Sequence, residues 1–187
     1  DVGALMLEHD HYKWRLMRAN AIPESLVTGK GKDFEKFYAF AQSLKYAIGN
    51  PVYHWSMLEL QRYFGFTEPL TEENAKEVWD KANEIIKERC YSPRKMIELS
   101  KVQIICTTED PCADLSYHLI LQKDFTSCKV FPAFRPDRFL AVNKLETFNK
   151  AIGELSALSN ITITDYQSLK EALQISMDHF SRAGCLA

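Results

Sequence analysis

The sequence predicts an α/β protein that is mostly helical, on three observations. Through about residue 100, apolar residues recur at helical spacing between Gly, Asn-Pro and Ser-Pro punctuation. Two short apolar runs rich in strand formers then appear, Val102 to Cys106 and Cys128 to Pro132. Between them, Asp114 to Lys123 is helical in pattern. Strand, helix, strand at this spacing is a βαβ unit, which implies a parallel pair and a right-handed crossover. The chain thus divides into a helical region, 1–100, and a βαβ region with further helices, 101–187.

The elements follow in order. Leu5, Tyr12, Leu16 and Ala19 predict one helix over the first stretch, and Gly29 and Gly31 mark a loop. Asp33 caps a second helix with the stripe Phe34, Phe37, Tyr38, Ala41 and Leu44, ending at Gly49. Asn50-Pro51 opens a third, and Gly65 stops it. Thr71 with Glu72 and Glu73 opens a fourth, which buries Ala75, Val78, Trp79, Ala82 and Ile85. Ser92-Pro93 starts a short helix through Leu99. The run 102–106 reads as a buried strand, followed by a loop from Thr107 to Pro111. After the second strand come helices near Lys144 to Leu158 and Asp165 to Ala183, the latter opened by a capping box at 164–167. Residues 184–187 offer the start of a third strand. A parallel pair needs both faces covered and normally belongs to a larger sheet.

Composition narrows the function classes. With 187 residues, 46% of them hydrophobic, the chain has enough apolar content for a core. A net charge of −2 gives no basic field for nucleic acid or acidic lipid, and no apolar run is long enough to span a membrane. The apolar stretch 2–7 is too short for a signal peptide, and a chain beginning at Asp1 is expected to be processed or a piece of something longer. Cys90, Cys106, Cys112, Cys128 and Cys185 are odd in number and form no CxxC, which points to the reducing cytoplasm. Cys106 and Cys128, inside apolar runs, read as small buried hydrophobes.

Candidate chemistry lies where strands end. The first strand finishes in Thr107-Thr108-Glu109-Asp110-Pro111, and the second in Pro132-Ala133-Phe134-Arg135-Pro136-Asp137-Arg138. An arginine there can hold a planar anion through two parallel hydrogen bonds. The plainer alternative is that Arg135 pairs with Asp110 or Asp137 to fix the loops. His9-Asp10-His11 has an HxH look, but residues two apart on a helix point in different directions and no further ligands follow at a zinc spacing. His54 and Trp55 read as packing and capping groups, and His118 and His179 as isolated surface histidines on helices. No GxSxG, no phosphate-binding glycine loop and no Cys–His arrangement is present.

The stretches Asp10-His11-Tyr12-Lys13-Trp14-Arg15, Gly49-Asn50-Pro51-Val52-Tyr53-His54-Trp55, Cys106-Thr107-Thr108-Glu109-Asp110-Pro111 and Phe134-Arg135-Pro136-Asp137-Arg138, with Asp178-His179-Phe180 and Gly184-Cys185 near the end, closely resemble the uronate (glucuronate) isomerases of the amidohydrolase-like superfamily. The order and the separations also agree, over nearly the whole chain.

The resemblance implies a (β/α)8 TIM-type barrel with a large helical insertion, of which this chain matches the central part: the insertion and about two barrel strands. It implies interconversion of D-glucuronate with D-fructuronate and of D-galacturonate with D-tagaturonate, with a uronic acid as substrate and zinc or manganese as the metal. By position, Tyr12 resembles the active-site tyrosine that binds substrate and handles protons. Arg135 resembles the active-site arginine at a strand end, suited to a carboxylate or an enediolate, and Asp110 stands in the same loop cluster as a substrate-binding candidate. The family's metal-binding His-x-His is not His9 and His11, so no metal is expected on this chain and the isolated polypeptide is expected to be inactive. Glu109 stands where Asp is usual, and Met57 where His is common. Exposed barrel-facing surface is expected to favour a homo-oligomer. The rival reading is a non-catalytic helical module for interaction or assembly.

Overall fold

The computed structural model describes residues 1–185, which fall into two compact units, Asp1–Ser92 and the chain from Pro93 onward. That division lies earlier than the boundary at residue 100 drawn from the sequence. The helix Pro93–Leu99 goes with the second unit because Ile97 packs on Phe125, Cys128 and Val130.

In the first unit, α1 (Val2–Leu7) and α2 (His11–Ala19) replace the single helix expected there. The break has a local cause. Asp10 leaves the helical conformation, and its carboxylate accepts hydrogen bonds from the N–H groups of Tyr12 and Lys13 at 3.0 and 3.1 Å. It thereby satisfies two donors that a helix start leaves without partners. The restart also resets which residues face inward. Val2, Met6, Leu7 and Met17 are buried, whereas Leu5, Tyr12 and Ala19 are exposed.

The next elements are α3 (Glu24–Val27) and α4 (Asp33–Leu44). Asp33 stands in the first turn of α4 rather than at its cap, which is Lys32, and the helix stops at Leu44, ahead of Gly49. By contrast, α5 (Pro51–Phe64) has the predicted ends. Asn50 Oδ1 accepts from Val52 N–H at 2.9 Å, and Gly65 closes the helix at φ 78°, where a side chain would be strained. The helix α6 (Ala75–Glu88) begins later than Thr71, because Thr71 N–H donates to Asn74 Oδ1 at 2.8 Å and holds a turn ahead of it. The core of this unit includes Met17, Phe37, Phe40, Leu44 and Leu60, with Trp79 against Phe34 and Phe37 at 5.5 and 5.4 Å.

The second unit opens with α7 (Pro93–Leu99) and then carries β1 (Ile104–Glu109), α8 (Ser116–Asp124) and β2 (Lys129–Phe134). The strands pair in parallel, as predicted, with Ile104 opposite Lys129 and Glu109 opposite Phe134. Both run further than expected, so Thr107, Thr108 and Glu109 belong to β1, and Ala133 and Phe134 to β2. Among the described residues the sheet has these two strands. Consequently β1 is not a buried strand: Ile104, Cys106 and Thr108 alternate outward and are exposed, while Cys128 is buried as predicted.

A 3-10 turn (Asp137–Phe139) leads to α9 (Leu145–Ser159) and α10 (Tyr166–Arg182). These pack through Phe139, Ala151, Leu155 and Ala172, and Phe180 meets Phe134 of β2 edge-on at 5.1 Å. The capping box of α10 is formed by Asp165 and Ser168. Gly184 ends the helix at φ 92°, and a Cβ there would lie 2.7 Å from the Phe131 ring. The expected start of a third strand thus meets a helix stop at Gly184, and its last residues, 186 and 187, lie outside the described residues.

Burial sets a stability contrast. Phe40→Ala should lower unfolding free energy by about 3–5 kcal/mol in chemical denaturation. Leu5→Ala, at a position 51% exposed, should stay within about 0.5 kcal/mol.

Candidate functional site

Parallel pairing brings the carboxyl ends of β1 and β2 side by side, since Arg135 N–H donates to the Glu109 carbonyl at 3.1 Å. Arg135 is exposed, and its Nε–H donates to Asp137 Oδ2 at 2.8 Å. One of the two pairings considered from the sequence is therefore present. That hydrogen bond holds the Asp137 carboxyl below the usual range and raises the guanidinium. Both groups face water, which screens such a pair and leaves it contributing little.

Asp110 does not meet Arg135. Its Oδ1 accepts from Cys112 N–H at 2.8 Å, and its Oδ2 lies 2.9 Å from Arg138 Nε. Arg138 reaches Glu154 of α9 as well, through Nη1 at 2.5 Å. The Asp110–Arg138–Glu154 chain ties the loop after β1 to the helix after β2. Arg138 also contacts Cys112, whose thiol is pushed up chiefly by burial.

Among the histidines, His118 differs from the expectation of a surface residue. It is buried on α8, with Nε2 2.7 Å from Thr107 Oγ1 and 3.6 Å from Glu109 Oε1. This contact fixes α8 beneath the end of β1. The period-2 alternation of a strand puts Thr107 and Glu109 on one face, and that was the signal available for it.

Tyr12 lies on the first turn of α2 in the first unit and is 52% exposed. Its ring sits 4.3 Å from His11 and meets Trp55 edge-on at 6.3 Å. Trp55 is 48% exposed and His54 is exposed too, so neither is the packing group the sequence suggested. Their place is the outward face of α5. Among the described residues, no three His, Cys, Asp or Glu side chains are grouped as metal ligands would be.

A helical unit followed by a parallel βαβ unit, with basic and acidic side chains at adjoining strand ends, describes an α/β protein of the class that places chemistry on strand-end loops. Comparison with known proteins narrows this. The glucuronate isomerase family model matches residues 1–187, and the chain belongs to that family. It is 46% identical over 187 residues to the uronate isomerase of Caldanaerobacter subterraneus, covering 99% of this chain and 40% of that protein. It is 44% identical over 183 residues to the uronate isomerase of Clostridium perfringens, covering 97% of this chain and 39% of the relative. The crystal structure of uronate isomerase from Thermotoga maritima superposes with a TM-score of 0.91 at 30% identity, over 98% of this chain and 40% of that one. The chain therefore spans about 40% of the length of the relatives it matches. Among the described residues, no helix is long and apolar enough to cross a membrane.

The Arg135–Asp137 pair has a defined pH window. Because the Asp137 carboxyl is depressed, the pair is complete above the ordinary carboxylate range and is lost as pH falls through the depressed value. The ¹⁵N resonance of Arg135 Nε should titrate with a midpoint below about 3.9, the value of an unshifted Asp. A midpoint at or above that value would mean the pair does not form in solution.

Proposed function

We propose that the chain carries part of the substrate machinery of a uronate isomerase, which interconverts D-glucuronate with D-fructuronate and D-galacturonate with D-tagaturonate. The observation that carries this reading is the family match over residues 1–187. The non-catalytic assembly module is not favoured, because the relatives that cover the chain are isomerases. The same reading takes the βαβ unit as two strands of a (β/α)8 barrel and the cytoplasm as the compartment.

Each residue has a task that its chemistry suits. Aldose–ketose isomerisation takes a proton from C2 and returns one to C1, while a hydroxyl proton passes from O2 to O1. The intermediate is a planar enediolate. Arg135, held at the end of β2, binds the substrate carboxylate or this enediolate through parallel N–H donors. To do so it exchanges Asp137 for the substrate, and the exposure of that ion pair to screening solvent permits the exchange. The Tyr12 phenol, half exposed at a helix start, gives and takes the hydroxyl proton. Asp110, already engaged by Arg138, sets the loop beside Arg135.

Two experiments test the reading. The 187-residue chain, assayed with D-glucuronate and zinc or manganese, should form no ketouronate; metal-dependent turnover abolished by Tyr12→Phe would overturn the account of its missing ligands. With these residues exchanged into the Clostridium perfringens relative, Arg135→Lys should lower kcat/KM by about 10²-fold or more, and near-normal activity would remove Arg135 from the site. Self-association through the open face of β1 belongs to the same reading and is read by sedimentation.

A further inference from the structure

Lys13 is the one lysine among the buried polar residues described, and the mechanism above does not use it. It follows Tyr12 on α2 and is 2% exposed. Its Nζ lies 2.5 Å from Glu59 Oε2 on α5, 3.6 Å from Asp10 Oδ2 and 5.9 Å from the centre of the Phe40 ring. A lysine is rarely taken out of water without a partner, because the uncompensated charge is costly. Here the partners are placed informatively. Glu59 stands one helical turn after Trp55, so both lie on one face of α5. Asp10 is the cap that starts α2 immediately before His11 and Tyr12.

We propose that Lys13 is a positioning residue: its ion pair with Glu59 clamps the start of α2 to α5 and so sets the Tyr12–Trp55 aromatic pair. This rests on the reading of Tyr12 as a substrate-site residue. The clamp works by geometry alone. One buried cation fixes the distance between two helices at the turn where both rings emerge, and the Asp10 carboxylate beside the same cation keeps the helix start in register with it.

The test separates the clamp from mere stability. The chain labelled with 5-fluorotryptophan gives one fluorine resonance for each of its three Trp residues, and Trp55→Phe assigns the one of interest. Lys13→Met/Glu59→Leu removes both ends together and leaves neither charge unpaired. Its Trp55 resonance should shift while that of Trp79 stays in place. Glu59→Gln, altered at the half-exposed end, keeps the fold and should shift Trp55 in the same direction by less. A Trp55 resonance unmoved in both overturns the clamp.

In the exchanged Clostridium perfringens relative, the double variant should lose about tenfold or more in kcat with a smaller change in KM, even where its melting temperature equals that of the parent. Full kcat there, beside a Tyr12→Phe variant that is impaired, overturns the positioning role. If Tyr12→Phe keeps full activity, the functional reading fails, and the fluorine spectra then decide the clamp alone.

Discussion

Parallel strand pairing is the constraint on which the second unit depends. Two antiparallel strands would have put the ends of β1 and β2 on opposite sides. Parallel ones finish together, which sets the Glu109-Asp110 segment beside Arg135 through a backbone hydrogen bond. The crossover helix must then lie on one face, and His118 pins it there through Thr107. The helices α9 and α10 follow from the same requirement, since Phe180 covers Phe134 and Ser176 Oγ donates to the Pro111 carbonyl at 2.6 Å. The loop network of Asp110, Arg138 and Glu154 is therefore less a second binding group than the fastening that keeps the strand ends apart from solvent-driven drift.

The first unit is organised differently, by helix ends. Asp10 and Asn50 each satisfy backbone donors at a start, and Gly65 closes a helix in the left-handed region. These local devices decide where the aromatic residues of α4, α5 and α6 turn inward. They also decide what is left outside. Tyr12 and Trp55 emerge at the starts of α2 and α5, a short distance past their caps, where side chains reach beyond the packed stripe.

Much of this was legible from local pattern. The Asn50-Pro51 start, the Gly65 stop and the βαβ order each depend on residues adjacent in the chain. The resemblance to uronate isomerases rested on contiguous motifs and is matched by the relatives. What escaped depended on distance in sequence or on what covers a surface. Nothing local pairs Lys13 with Glu59 across 46 positions. The burial of His118 requires knowing that α8 lies under β1. The outward faces of Ile104 and Cys106 read as core because an apolar run carries no mark of how many strands lie beside it. Asp10 looked like one member of an HxH spacing, and only the backbone geometry shows it to be a cap.

The Arg135–Asp137 contact has a consequence for anion choice. A counterion fixed two residues away competes at an effective concentration on the order of millimolar, as short tethers do. Dilute monovalent ions such as chloride, which offer a single contact point, gain little over the aspartate already beside the guanidinium. A species with two oxygens in one plane replaces one hydrogen bond with two. On the proposed reading of Arg135, the exposed aspartate would serve as a threshold that lets geometry rather than charge decide what occupies the arginine.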